Sequence, residues 1–490
     1  MALELLAIVK HDCPVCDQLL PALDAAGARL VSQSSEEQTL RQAQRLSLSR
    51  VPEIDAGLAL SERFDPDAVP AVFLLEDGAE RGRVIGLARD RLSALVAQTG
   101  ATLELDGLPA IRPGCASRTR DPDVAARLAA RRARDSGRIK ARELELGGLE
   151  DPFEAMHERG LTDGLPVVPP TPERVVAMLD YSSRDPQELV GVVAPYGGRA
   201  TVEKVAINAV MAGCAGPELP IVLAAVHVAC REEFALHGLI ATTAPAGPVV
   251  VVSGPYARRA GMNSAVNALG QGNRANSTIG RALQLTVRNI GGGRPGREDR
   301  AAHGQPGKVG FAFAERLDET APWSGLAQAR AGLRDDETGV TLFAGEAPRL
   351  VLDQLVRDPE SLAASLAVGL EHVASARQRL AWDAMLVLGP EHGRIFREAG
   401  WSRERVQDEL HRRTHRPAGE LIRGAGGVAE GLAAKWFPDP QTPVPKFFGP
   451  ERILLAYAGG DAGLFSMAIG GWVSGEAGST PQSASVEPWR

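Results

Sequence analysis

The chain has 490 residues, of which 44% are hydrophobic and 23% charged, and this composition excludes collagen-like, coiled-coil and largely disordered proteins. Its net charge of −7 gives no basic footprint, so neither nucleic acid nor an anionic membrane is expected as the main partner. At roughly 150 residues per domain, the length indicates about three domains.

Residues 1–100 have the pattern of a compact α/β domain. An apolar run predicts a strand at Leu3–Val9, and apolar residues at helical spacing predict a helix at 13–28 with Pro14 in its first turn. A short strand fits between this helix and the next. The remaining predicted elements are a helix at 36–46, a strand at 69–75, a turn at 76–78, a strand at 83–85 and a helix at 90–98.

Residues 101–150 differ in composition from the first hundred. They are crowded with Arg and Ala and carry few large apolar residues, which predicts a solvated helical linker. Residues 475–490 are rich in Ser, Gly and Pro and are expected to form a loose tail.

Residues 151–474 alternate helical patterns with short apolar strands that end in glycine. Continuous apolar strands between helices predict a mainly parallel sheet covered on both faces, and therefore a catalytic or ligand-binding α/β domain. Ligands of such sheets bind in the loops beyond the strand carboxyl ends. The three clearest strands are at 248–253, 384–388 and 453–458.

The clearest chemical motif is Cys13-Pro14-Val15-Cys16, placed where a strand passes into a helix. The helix N-terminus stabilises a thiolate, so Cys13 is predicted to be an easily ionised, solvent-reachable nucleophile. Cys16, one turn later and more buried, would resolve a mixed disulfide. Metal handling is the alternative, but a structural zinc site needs four ligands and this motif supplies two.

This motif resembles that of the thioredoxin and glutaredoxin family over about residues 1–100. The second matching element is Val69-Pro70, followed by an apolar strand and the turn at Asp77-Gly78. The resemblance implies a thioredoxin-like fold with a cis-proline at Pro70, lying against the CxxC. It also implies that Val69 and Pro70 dock an incoming thiol substrate.

Two further cysteines lie in a predicted pair of helices. Cys214 falls in the turn between them, and Cys230 lies too far along the second helix for a disulfide. Gly213 and Gly216 would let a ligand approach Cys214, so a catalytic role and a structural role both remain open for this thiol. Cys230 is expected to act as a small buried hydrophobe.

A segment rich in Gly and Asn, at 261–264 and 267–281, is the predicted ligand cradle. Its glycines permit close approach, its amides supply hydrogen bonds, and Arg274 before a helix attracts an anion. The alternative is an irregular loop capped by Asn276 or Ser277. His237 is a further candidate, as a general acid or base or as a hydrogen-bonded structural residue. The predicted substrate-binding residues are Gly272, Asn273, Arg274, Asn276, Ser277 and His237.

Residues from about 163 to 323, with the later stretches 389–401 and 458–471, also resemble a bacterial family associated with UGSC-type (seleno)proteins. The matching segments are 163–170, 208–214 and 273–281. This resemblance implies thiol or selenol chemistry without a settled reaction.

Together these features predict a thiol-dependent oxidoreductase. Cys13 and Cys16 would deliver reducing equivalents to a catalytic domain that uses Cys214 on a small, anionic substrate. The alternatives are a sulfur, selenium or soft-metal transferase or lyase, and a non-enzymatic redox or metal-binding protein. An external thiol reductant is a further expected partner, and the oligomeric state stays open.

No flavin, nicotinamide or tight metal-ligand motif occurs, so no cofactor or metal is expected. No apolar stretch approaches the ~20 residues of a membrane span. The start of the chain lacks a basic signal segment and the cysteines are few and odd in number, so a cytoplasmic location is expected.

Overall fold

The computed structural model describes residues 3–475 and 478–490, and the chain divides into two compact units, Met1–Asp135 and Ser136–Arg490. Both units mix helices with sheets, which confirms the α/β class. Among the helices of the described residues, none combines the length and apolar character that a transmembrane span requires.

The N-terminal unit contains nine strands and five helices within its described residues. They are β1 (Leu3–Val9), α1 (Pro14–Ala25), β2 (Arg29–Ser32), α2 (Glu36–Arg45), β3 (Glu53–Ile54), α3 (Ala59–Phe64), β4 (Ala68–Val69), β5 (Ala71–Glu76), β6 (Ala79–Ile85), β7 (Leu87–Ala88), α4 (Arg89–Ala97), β8 (Ile111–Arg112), β9 (Cys115–Ala116) and α5 (Pro122–Asp135).

The central sheet of this unit has the order β3-β2-β1-β5-β6. Its middle strand β1 runs parallel to β2 and antiparallel to β5. The helix α1 buries Leu19, Leu20 and Leu23 completely, and each such side chain contributes about 2 kcal/mol of hydrophobic free energy. The elements expected in residues 1–100 are confirmed, including the short strand β2.

The compact unit extends past the expected boundary at residue 100. Two short strands beyond that point pair back onto it, β8 with β7 and β9 with β4. The Arg-rich segment does form a helix, α5, but Arg131 and Arg132 bind Glu62 of the same unit. The change in composition at residue 101 therefore marks a polar part of the first unit. This part is held by short strand pairs and ion pairs, and not by a large apolar core.

The larger unit is built from helices surrounding one large sheet. Its helices are α6 (Pro152–Glu158), α7 (Pro172–Leu179), α8 (Val202–Ala212), α9 (Leu219–Ala229), α10 (Leu236–Ala241), α11 (Tyr256–Arg259), α12 (Arg274–Thr286), α13 (Leu326–Ala331), α14 (Pro359–Glu371), α15 (Pro390–Glu398), α16 (Arg403–Arg413) and α17 (Ala418–Leu421). Its strands are β10 (Leu189–Val193), β11 (Gly198–Thr201), β12 (Gly247–Ser253), β13 (Ala312–Ala314), β14 (Gly339–Gly345), β15 (Arg349–Leu352), β16 (Trp382–Leu388), β17 (Arg416–Pro417), β18 (Pro443–Val444), β19 (Ile453–Tyr457), β20 (Phe465–Val473) and β21 (Gln482–Ser485).

The large sheet is mixed, so the prediction of a mainly parallel sheet is wrong. Its strand order is β13-β12-β14-β20-β16-β19, with β15 and β21 attached beside it. The pairs β12–β13 and β16–β19 are parallel, whereas β14 and β20 run antiparallel to their neighbours. The apolar strands were located correctly, but burial on both faces makes a strand apolar whatever its direction.

The predicted loose tail is also wrong for the described residues beyond 477. The strand β21 pairs antiparallel with β14, so that Val340 lies opposite Ala484. Val486 and Trp489 are buried behind it. A Ser-rich strand of this kind is held by ladder hydrogen bonds to a buried neighbour, which composition does not reveal.

Candidate functional site

The thiol pair lies at the junction of β1 and α1. Cys13 is the N-cap residue of α1, with φ −121° and ψ 107°, and its sulfur accepts a hydrogen bond of 3.3 Å from the Cys16 amide. Pro14 occupies the first turn, where a missing amide hydrogen leaves nothing unpaired. The free amides of this turn and the positive end of the helix dipole favour negative charge on the Cys13 sulfur.

The two thiols differ strongly in acidity. A side-chain hydrogen bond from Cys16 has the largest effect on Cys13, and with further hydrogen bonds from Cys115 and the Cys16 backbone it lowers the pKa of Cys13 from 9.0 to about 5, against the effect of burial. Burial raises the pKa of Cys16 far above its ordinary range, and its hydrogen bond to Cys13 adds to the shift. At neutral pH Cys13 is therefore the thiolate and Cys16 the thiol.

The segment Val69-Pro70 lies beside this pair, where the thioredoxin resemblance expects it. The Cys13 sulfur is 3.4 Å from the Val69 carbonyl oxygen, and the Val69–Pro70 peptide bond is cis. That oxygen can accept a hydrogen bond from Cys13 only while the thiol is protonated. Docking of a substrate thiol by Val69 and Pro70 stays a prediction.

Cys13 is not open to solvent in this structure, contrary to the expectation of a reachable nucleophile. Its exposed fraction is 1%, and Cys115 lies beside it. Sequence reasoning missed Cys115 as a functional candidate. The available signal was its position after Pro113-Gly114, a turn sequence, but the pairing that brings it to Cys13 joins residues distant in the chain.

Cys214 lies in the turn between α8 and α9, as predicted. Gly213 ends α8 in the left-handed conformation with φ 91°, and the Cys214 amide donates to the Ala209 carbonyl at 2.9 Å. The Cys214 side chain is buried at the wall of a cavity of about 290 Å³. Arg274 and Tyr181 line the same cavity, so the structure brings two of the predicted site residues, Cys214 and Arg274, together.

Burial and a neighbouring carboxyl group together set the acidity of Cys214. Glu218 is 1% exposed, and the Thr278 hydroxyl donates to its Oε2 at 2.5 Å. Burial raises the pKa of Glu218, and burial followed by the Glu218 charge raises the pKa of Cys214 well above 9.0. Cys214 is therefore a neutral thiol at physiological pH, able to donate a proton but not to act as a ready thiolate. Neither Glu218 nor Thr278 was among the predicted site residues.

The amides of the predicted cradle hold the loop to its helix. Asn273 is the N-cap of α12 and accepts from the Asn276 amide at 2.9 Å. Asn276 is buried, and its side chain donates to the carbonyls of Asn263 and Ala268 at 2.8 and 2.9 Å. The loop is capped, but by Asn273 and not by Asn276 or Ser277 as the alternative expected, and ligand binding by this segment stays a prediction.

The other predicted binding residues do not all line one site. Arg274 donates from Nε to the Gly213 carbonyl at 2.8 Å, beside Cys214. Ser277 is exposed and donates to the Asn273 carbonyl, and Gly272 is exposed with φ 100°. His237 is exposed on α10, a different helix from the α12 that carries Arg274.

A second, larger cavity of about 540 Å³ also lies in the large unit. Asn208 and Lys204 of α8 line it together with Asn289, whose amide donates to the Asn208 side chain at 2.8 Å. No motif in the sequence indicated this cavity. Within residues 3–475 and 478–490, no three His, Cys, Asp or Glu side chains converge to hold a metal ion.

No protein-family model and no curated protein matches this chain. Solved structures with partial likeness include a secreted Mycobacterium tuberculosis disulfide oxidoreductase homologous to E. coli DsbE, with 17% identity and a TM-score of 0.18, covering 20% of this chain and 81% of that one. Another is StoA from Bacillus subtilis, with 18% identity and a TM-score of 0.17, covering 19% of this chain and 81% of that one.

Proposed function

We propose that the chain is a thiol-dependent oxidoreductase in which Cys13 and Cys16 carry out thiol–disulfide exchange. The observation that carries this proposal is the position of Cys13 at the N-cap of α1, where its sulfur accepts from the Cys16 amide at 3.3 Å while Cys16 is fully buried, in agreement with a lowered pKa for Cys13 and a raised pKa for Cys16. An attacking thiolate and a protonated resolving thiol, one helical turn apart, are the two groups that exchange requires.

In the exchange, the Cys13 thiolate attacks one sulfur of a substrate disulfide and the other substrate sulfur leaves as a thiolate. Once Cys13 is bound in the mixed disulfide it no longer carries a charge, and one of the causes that raise the pKa of Cys16 disappears. Cys16 then loses its proton, attacks the Cys13 sulfur, and releases the second substrate sulfur. Two electrons pass from the cysteine pair to the substrate, so this step needs no bound cofactor.

The test is reduction of insulin disulfides by the full chain with dithiothreitol as the electron source. We expect Cys13→Ser to lose the activity, and Cys16→Ser to accumulate a mixed disulfide at Cys13. Cys230→Ser, which changes a thiol with raised pKa in the other unit, is the matched control. Equal activity of Cys13→Ser and the wild type would reject the proposal.

The larger unit is proposed to hold a small anionic substrate in the cavity beside Cys214. Two cations, Arg174 and Arg274, line that cavity, and Arg274 lies next to a thiol that can donate a proton. Reducing equivalents would pass from Cys13 and Cys16 to this substrate within one chain, at an effective concentration of about mM. A cytoplasmic, reducing location would suit this direction of flow.

Binding of a series of small carboxylates, followed by tryptophan fluorescence, tests the anion site. Replacing Arg274 with Met should weaken binding about tenfold, because a charge-assisted hydrogen bond is lost. Arg300→Met, which removes an exposed cation elsewhere, is the control and should bind as the wild type does. Equal binding by both variants would remove Arg274 from the site.

A further inference from the structure

The residues 111–117, called here the covering segment, pair with the chain beside the thiol pair. Within it, β9 runs antiparallel to β4, so that Cys115 lies opposite Val69 and Ala116 opposite Ala68. The Ser117 amide extends the pairing by donating to the Asp67 carbonyl at 3.0 Å. The backbone edge of β4, beside the Cys13 sulfur, is therefore already occupied by a strand of the same chain.

Close backbone contacts fit the covering segment to this edge. A Cβ atom on Gly114 would lie 2.7 Å from the Val69 carbonyl oxygen, so only glycine permits this approach. Gly86, with φ 72°, has the same constraint against the Gly114 amide, at 2.7 Å. Glycine is therefore required at both positions for the covering segment to pair with β4.

Side chains at both ends of the covering segment fix it to neighbouring elements. At one end the Arg112 guanidinium donates to the Gln18 side chain of α1 at 3.1 Å. At the other end, Gln33 donates to the Ser117 hydroxyl at 2.8 Å and accepts from the Arg118 amide at 2.9 Å. One end is thus held by α1, which carries Cys16, and the other by the residue after β2, the strand paired with β1.

This pairing places a third thiol against the reactive one. The Cys13 sulfur is 3.4 Å from the Val69 carbonyl oxygen, and Cys115 lies opposite Val69 in the pairing of β4 with β9, so the two thiols are neighbours and each affects the pKa of the other. Cys115 is half-buried, whereas Cys13 and Cys16 are buried. A disulfide-linked peptide that added as a strand to β4 would have to place its sulfur where Cys115 now lies.

We propose that the covering segment is an internal substrate of the thiol pair, and that Cys115 exchanges with the Cys13–Cys16 disulfide. The inference rests on the proposed thiol–disulfide exchange and adds to it a competitor carried by the chain itself. External disulfide peptides reach Cys13 only after displacing the covering segment from β4.

The step balances without an added oxidant. The Cys115 sulfur loses its proton and attacks Cys13 in the oxidised pair, the Cys13–Cys16 bond breaks, and Cys16 leaves and takes up a proton. One disulfide forms for the one that breaks. In the product, Cys13 and Cys115 form a disulfide and Cys16 is a free thiol. An external thiol that attacks this disulfide makes Cys13 available again for exchange with other substrates.

The deciding experiment maps disulfides in the Cys16→Ser chain after treatment with the thiol oxidant diamide. The expected product is a Cys13–Cys115 linked peptide, absent from a Cys16→Ser, Cys115→Ser double variant. If Cys13 in the Cys16→Ser chain stays free or pairs only between molecules, the role of Cys115 is rejected. If the oxidised wild-type chain holds no disulfide at Cys13 at all, the proposed function itself fails, so the two failures are distinct.

A second experiment tests the covering role without changing a cysteine. Gly114→Val should push the segment off β4 and increase the rate at which iodoacetamide labels Cys13 by about tenfold. Gly148→Val is the matched control, since a Cβ atom at Gly148 meets nothing within 4 Å. Equal labelling of Cys13 in both variants, with circular dichroism unchanged, would show that the segment does not shield Cys13.

Discussion

Cys13 and Cys214 are both buried thiols next to a helix, but they lie at opposite helix ends. Cys13 caps the N-terminus of α1, where the Cys16 amide donates to its sulfur, and its pKa is lowered to about 5. Cys214 follows the C-terminus of α8 and lies beside the Glu218 carboxyl, and its pKa is raised, first by burial. At Cys13 the hydrogen bonds at the helix N-terminus outweigh burial, whereas at Cys214 burial is the largest cause of the raised pKa and the Glu218 charge adds to it, so that only Cys13 is an activated nucleophile.

The largest effect is expected when each of these two thiols is replaced in turn and the reduction of insulin is measured. Cys13→Ser should reduce insulin reduction by at least about 100-fold, because a hydroxyl is no nucleophile for a disulfide. Cys214→Ser should leave insulin reduction at the wild-type level. Comparable losses in both variants would contradict the distinction between the two sites.

The acidity of Cys13 should depend on its neighbour Cys16. In Cys16→Ala the largest cause of the lowered pKa is lost, so the pKa of Cys13 should rise by at least about one unit. Cys16→Ser keeps a hydroxyl donor and is the control, with a smaller rise. Thiolate absorbance during a pH titration measures both, and an unchanged pKa in Cys16→Ala would remove Cys16 as the cause.

The lowered pKa of Cys13 also makes the free energy of unfolding depend on pH. Because the pKa of Cys13 is lower in the folded chain than in the unfolded one, its ionisation stabilises the fold fully above the unfolded thiol pKa. That contribution should be lost as the pH falls through about 5. In Cys13→Ser the corresponding part of the pH dependence of urea unfolding should vanish.

A smaller effect is expected at Cys214. Replacing Glu218 with Gln removes a negative charge and should lower the pKa of Cys214 by about one unit, while burial keeps it above that of a free thiol. The pH dependence of N-ethylmaleimide labelling at Cys214 measures this, with the exposed Glu232→Gln as the control. A pKa of Cys214 that does not move would rule out coupling to Glu218.

The smallest effect concerns the cradle. Asn273→Ala should cost about 1 kcal/mol in the free energy of unfolding of the large unit, because the N-cap of α12 is lost. Asn273→Asp keeps a capping oxygen and should cost less. Tryptophan fluorescence in urea reports this unit alone, because every tryptophan of the chain lies in it: Trp323, Trp382, Trp401, Trp436, Trp472 and Trp489. An Ala variant as stable as the wild type would show that the cap is dispensable.

Local patterns located the strand and the helix on either side of the CxxC correctly, because these elements are encoded by neighbouring residues. A strand, a CxxC and a helix follow one another in the sequence, and apolar spacing locates β1 and α1 within a few residues. The contact of Cys13 with Val69 was expected only through the family resemblance. Cys115 was missed, since its pairing with Val69 joins distant residues and leaves no periodic pattern.

The larger unit shows the same division between local and distant information. The strands β12, β16 and β19 were found from their apolar runs, but their directions were not, because a strand buried on both faces is apolar in either orientation. Arg274 was identified as a cation before a helix. Its meeting with Glu218 and Cys214 depends on how α12 packs against α8 and α9, which spacing along the chain does not encode.

The most direct test of the central claim is the pH dependence of Cys13 alkylation in the reduced wild-type chain, read by peptide mass spectrometry between about pH 4 and pH 9. The account predicts half-maximal labelling at the lowered pKa of Cys13, about 5, and a constant rate above about pH 7. A midpoint near that of a free thiol, about 8.5, would show that Cys13 is not an activated nucleophile.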